Sequence, residues 1–193
     1  MKRRLFEALL IAALIVFGVV CRVCFRDIPN FMPVAAVALF AGYVCRSRLL
    51  AAIAPLGIMT ISDLFLEKYQ WQMALVVYAA ISLPLVFGGL LRKRINLGGE
   101  TGSFATLAGV LTLFGCSLAS SLAFFALTNF AWWPWSSYPG TWEGLVRCYA
   151  AGVPFFKYTL AGDLFFAATL FGGYALALRA QVIPADEPAL VRA

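Results

Sequence analysis

Apolar residues in this chain gather into six runs, each closed by charge, proline or glycine: Leu5 to Cys21, Phe31 to Cys45, Leu49 to Phe65, Trp71 to Leu91, Ser103 to Phe130 and Phe155 to Leu178. The runs are unbroken rather than alternating, which predicts helices and excludes the period-two pattern of barrel strands. Pro33 falls in the first turn of the second run, where a missing N–H does no harm, and Pro55 lies inside the third, which predicts a kink. Several runs are near or below the ~20 residues of a straight span, so tilt or local thinning is expected.

Composition turns this pattern into a fold class. With 63% hydrophobic and 12% charged residues, 193 residues cannot hide their apolar surface in one soluble core. Backbone groups in lipid must be satisfied internally, so the expectation is an all-α membrane protein of six transmembrane helices, with residues 1–180 forming one domain and 181–193 a disordered cytoplasmic tail. The thirteen-residue apolar stretch from Ala8 to Val20 is in the signal-peptide range, but no A-x-A site follows it, and we read it as a retained first helix.

Charge then sets orientation. The net charge of +6 comes from basic residues in short clusters at segment ends, as membrane topology requires, and not from a nucleic-acid-binding stripe. With the N-terminus inside, one side collects Lys2, Arg3, Arg4, Arg46, Arg48, Arg92, Lys93, Arg94, Arg179 and Arg192, and the other Arg22, Arg26, Lys68, Arg147 and Lys157. Ten against five favours both termini in the cytoplasm, with multi-pass insertion in a bacterial inner membrane. The five cysteines include Cys21-Arg-Val-Cys24, but without histidine or a second CxxC the spacing does not complete a zinc site, and neither a metal nor a cofactor is expected.

On this topology the polar residues that do not belong in lipid fall on the outer side. Arg26, Asp27 and Asn30 follow the first span, Asp63 ends the third, Asn129 ends the fifth, and Lys157 and Asp163 open the sixth. A carboxylate such as Asp163, about two turns into its span, costs roughly 2.5–3.5 kcal/mol to insert and should face a cavity or a partner, for which Lys157 and Arg26 are the candidates. Asn-Phe followed by Asp-Leu-Phe occurs twice, at Asn30 and Asp63 and at Asn129 and Asp163, with intervals of 33 and 34 residues. The intervening topologies differ, so this reads as coincidence or as parallel use of one chemistry.

The last external loop predicts a short interfacial helix. Thr141 is its N-cap, Glu143 and Arg147 form an i,i+4 pair, and Trp142, Leu145, Val146, Tyr149 and Val153 make an apolar face before Pro154 breaks the run, leaving the segment flat as a lid. Trp132, Trp133 and Trp135 suit either a ligand pocket or an interfacial aromatic belt. Ala8 and Ala12 give the first span a small-xxx-small face, on which another helix can approach closely.

Taken together, the chain length, the six spans, Ala8-x-x-x-Ala12 and the polar, aromatic outer end resemble the substrate-binding S components of energy-coupling factor (ECF) vitamin transporters. Phe25-Arg-Asp-Ile-Pro-Asn-Phe31, Ala36-Val-Ala-Leu-Phe-Ala-Gly42, Ile61-Ser-Asp63, Asn129-Phe-Ala131 and Tyr138-Pro-Gly-Thr141 are similar to an uncharacterised family of small bacterial membrane proteins. The resemblance implies an S-component-like bundle, with Ala8 and Ala12 docking a transmembrane coupling subunit. It also implies a small vitamin-like ligand, aromatic or heterocyclic, held among Arg26, Asp27, Asn30, Asp63, Asn129, Trp132, Trp133, Lys157 and Asp163.

No GxxxxGK[ST] loop is present, so energy for uptake would come from a partner ATPase module. The expected partners are therefore lipid, the ligand, the coupling subunit and that ATPase, without nucleic acid, and the chain is not expected to be an enzyme. Two other readings stay open: an envelope assembly protein on the same fold, and an intramembrane enzyme using Asp63 and Asp163 as acid and base.

Overall fold

Once the hydrophobic runs are wound as helices, their lengths divide them into two kinds. The computed structural model describes residues 2–66, 70–97 and 103–182. Its helices are α1 (Lys2–Cys24), α2 (Val34–Val44), α3 (Arg48–Ser62), α4 (Trp71–Ser82), α5 (Gly88–Arg94), α6 (Ser103–Trp132) and α7 (Trp142–Arg179), with 3₁₀ segments at Leu83–Phe87 and Trp133–Trp135. No strand occurs among the described residues. Lys68, Arg192 and the tail from residue 183 lie outside them.

Four helical rods are long and apolar enough to cross a membrane: Arg4–Cys24, Trp71–Arg94, Ala105–Trp135 and Trp142–Arg179. This is the architecture of a helical membrane protein. The other two expected spans, α2 and α3, are shorter apolar helices of 11 and 15 residues, about 16 and 22 Å long beside a hydrocarbon core about 30 Å thick. They are short because the chain turns sharply around them. Asn30 takes a left-handed φ of 58°, Pro33 starts α2, and Cys45 leaves it in an extended conformation before Ser47 caps α3 by accepting from the Leu50 N–H at 3.3 Å.

The fold packs around α2. Every residue from Val34 to Tyr43 is buried, walled in by α3, α5, α7 and the 3₁₀ segment at Leu83–Phe87. Helix α1 lies across α3 with the stripe Glu7, Ile11, Leu14, Gly18 and Arg22 inward, and Gly18 leaves room for the Ile58 side chain. Pro55 sits inside α3, as its sequence position predicts. At the basic end of the bundle, Arg92 donates to the Cys45 carbonyl at 3.1 Å, tying the RKR turn to the end of α2.

The expected flat lid helix needs correction. Thr141 does cap, accepting from the Gly144 N–H at 3.3 Å, and Arg147 does pair with Glu143 at 2.6 Å. However, the helix does not end at Pro154; it continues to Arg179 as 38 residues, about 57 Å long. A proline forfeits one backbone hydrogen bond, whereas a break at membrane depth would strand a whole turn of N–H and C=O groups, so helices in lipid carry proline internally.

Candidate functional site

Seven polar residues were expected to converge at the end of the bundle opposite the RKR turn, and their surroundings separate them into three groups. The first group is built on Asp63, at the C-cap of α3. Its Oδ1 accepts from Arg22 Nη1 at 2.8 Å and its Oδ2 accepts from the Tyr78 hydroxyl at 2.9 Å, while the same Arg22 nitrogen also donates to Ser62 Oγ. The Arg22 side chain is only 6% exposed, so this is a charge pair largely withdrawn from water. It joins the end of α1 to α3 and α4. Arg22 was counted only as a topology charge, yet its position four residues beyond Gly18 on the stripe Glu7, Ile11, Leu14, Gly18 was a readable sign that it points inward.

The second group is exposed. Arg26 and Asp27 lie within 3.9 Å of each other on the loop after α1, and Lys157 sits with its Nζ 4.8 Å from the centroid of the neighbouring Tyr158 ring. Trp133 donates from its indole N–H to the Pro139 carbonyl at 3.0 Å, closing the loop between α6 and α7. Trp71, Trp132, Trp135 and Trp142 all expose much of their surface at this end, as residues of an interfacial belt do.

The third group surrounds a cavity. A space of about 180 Å³ is lined by Asn30, Met73, Phe124, Phe125, Thr128, Asn129, Trp132, Gly152, Phe155, Phe156 and Thr159. A narrower space of about 10 Å³ shares Asn30, Phe124 and Thr159 with it and reaches Asp163 and Ser120. Thus four of the predicted residues, Asn30, Asn129, Trp132 and Asp163, meet here, while Arg26, Asp27, Asp63, Trp133 and Lys157 line neither space.

Local packing explains why Asn30 lies beside Asp163. Gly162 lets the loop backbone settle on α7: a Cβ there would be 3.2 Å from the Met32 nitrogen and 3.3 Å from the Phe31 Cα. Phe31 then stacks among Phe25, Phe165 and Phe166, at centroid distances of 5.3 to 6.0 Å from those rings. The first Asn-Phe pair therefore meets the second Asp-Leu-Phe rather than its own.

Asp163 is 3% exposed and does not pair with Lys157 or Arg26. Its Oδ2 lies 2.5 Å from the Ser121 hydroxyl, which also lies 3.1 Å from the Ser117 carbonyl, so one hydroxyl proton faces two acceptors. The Ser117 hydroxyl next to it is buried without a partner. Ser117, Ser120 and Ser121 form an i, i+3, i+4 hydroxyl stripe on an apolar helix, a sign of a polar interior face that sequence reasoning passed over. Asp63 and Asp163 share no hydrogen-bond partner among the described residues.

Ala8 and Ala12 are exposed on the face of α1 that also presents Leu5, Leu9, Val16 and Val20, opposite its buried stripe.

No curated protein matches the chain. No solved structure matches it either. A family model does, over residues 2–188, nearly the whole length, and the chain belongs to that family, the family of unknown function DUF6580.

Proposed function

We propose that this protein is a membrane-embedded binding subunit that captures a small vitamin-like molecule, aromatic or heterocyclic, at its polar end. A partner ATPase module would supply the energy for uptake, in the manner of ECF S components, to which the sequence features Ala8-x-x-x-Ala12 and the polar, aromatic end are similar. The observation that supports this reading most is the cavity at the polar end. It is walled by aromatic rings and contains a few amides and hydroxyls, the mixture small-ligand sites use to bury a flat body and fix its polar edges. Its 180 Å³ is below the usual range for drug-sized ligands, which fits a compact molecule.

On this reading the polar end faces outward in a bacterial inner membrane, both termini are cytoplasmic, and the exposed Ala8 and Ala12 face of α1 docks the coupling subunit. The test is native mass spectrometry of the gently purified chain. A retained small molecule, lost in Asp163→Ala, is the expected result; the absence of any bound molecule, together with no partner recovered by pull-down on α1, would overturn it. A disulfide cross-link between Ala8→Cys and the recovered partner, absent with a cysteine at Ile11 on the buried side, would assign the docking face.

A further inference from the structure

From the unpaired carboxyl group at the cavity we infer the chemical class of its ligand: a compact organic cation, a primary ammonium attached to a small aromatic or apolar body, with Asp163 as its counter-charge. This rests on the capture reading above and narrows it. Asp163 lines the narrow space, the larger one has no acidic residue in its lining, and neither is lined by a lysine or arginine. No basic side chain pairs with Asp163 among the described residues; its hydrogen-bond partner is the Ser121 hydroxyl. A buried carboxyl group in that position is completed by a cation, which supplies the counter-charge it lacks, and gains nothing from an anion.

Size and shape agree with charge. The narrow space at Asp163, about 10 Å³, is room for one group the size of a water molecule, and an ammonium head is such a group. Asn30 and Thr159, common to both spaces, supply amide and hydroxyl acceptors along the way. Beyond them, Trp132, Phe155 and Phe156 offer ring faces to the cation as it passes and to the body that remains. Asp63 cannot fill this role, because Arg22 already neutralises it and it lines neither space.

The experiment is a calorimetric titration of the full chain in detergent with three molecules of nearly one shape: 2-phenylethylamine, 2-phenylethanol and phenylacetate. The amine should bind at least about tenfold more tightly than the alcohol, and the carboxylate should bind most weakly, as expected when a buried charge discriminates. Asp163→Asn, checked for folding by gel filtration and thermal melting, should reduce the amine to the level of the alcohol. The ranking in the unaltered chain stands on its own if that variant does not fold.

Equal binding of amine and alcohol would overturn the inference while leaving the capture reading intact. Binding of none of the three would overturn it as well, and a ligand-free native mass spectrum would then remove the capture reading too. A heat of sodium binding, measured against potassium in the absence of amine and abolished by Asp163→Asn, would make the narrow space a metal-cation site and would equally overturn the inference.

Discussion

Asp63 and Asp163 occupy the same end of one bundle, and both would be costly in lipid, but their surroundings give them different work. Asp63 has an arginine, a tyrosine hydroxyl and two neighbouring helices attached to it. Asp163 has a serine hydroxyl and an empty space. A carboxylate matched by a cation within the fold contributes to holding that fold; a carboxyl group with no cation beside it does not tie helices together in that way. Burial alone does not distinguish them, since Asp163 is the more buried of the two.

The largest expected effect lies on the Asp63 side. Arg22→Ala leaves Asp63 without its cation and should cost about 2–4 kcal/mol, somewhat below the usual figure for halving a buried pair because the Asp63 side chain is 17% exposed. Thermal unfolding in detergent measures it. Replacing both partners with apolar residues, Arg22→Met with Asp63→Leu, should recover most of the loss, and failure to recover would mean that the pair is not a unit.

On the other side, Gly162→Ala should cost about 1–2 kcal/mol, because its Cβ would press on backbone atoms of Phe31 and Met32 that cannot swing aside. The same substitution should loosen the loop that presents Asn30 to the cavity, visible as faster hydrogen exchange at residues 28–32. If exchange there is unchanged, the loop is not seated by that glycine.

Asp163→Asn should sharpen the contrast most directly. Replacing an unpaired buried carboxyl with an amide of the same shape should shift stability by less than about 1 kcal/mol, and not downward. A large destabilisation would mean that Asp163 has a structural role like that of Asp63. Smallest of all, Arg147→Ala breaks an exposed i,i+4 pair and should cost no more than about 0.5 kcal/mol in the same melting assay.

Much of the fold was legible along the chain because apolar length is a one-dimensional property. The long runs became rods, Thr141 capped α7, and Glu143 paired with Arg147 one helical turn away. Sorting of the polar residues was not legible, because it depends on which helix lies beside which. Arg22 looked like one more interfacial charge until α1 was laid on α3, and Lys157 looked like a partner for Asp163 until α7 turned it outward. The proline at 154 was overread because helix-ending rules come from water, where a freed carbonyl finds a solvent donor, and lipid offers none.

Helix α2 has a consequence for how the chain is made. It is enclosed on every side by other helices, yet emerges from the ribosome before α3, α5 and α7, which enclose it. At 11 residues, about 16 Å, it is shorter than the hydrocarbon core is thick, and a helix of that length is a weak anchor alone, so its burial depends on walls synthesised after it. Premature termination upstream of residue 142 would thus leave α2 without the wall that α7 supplies.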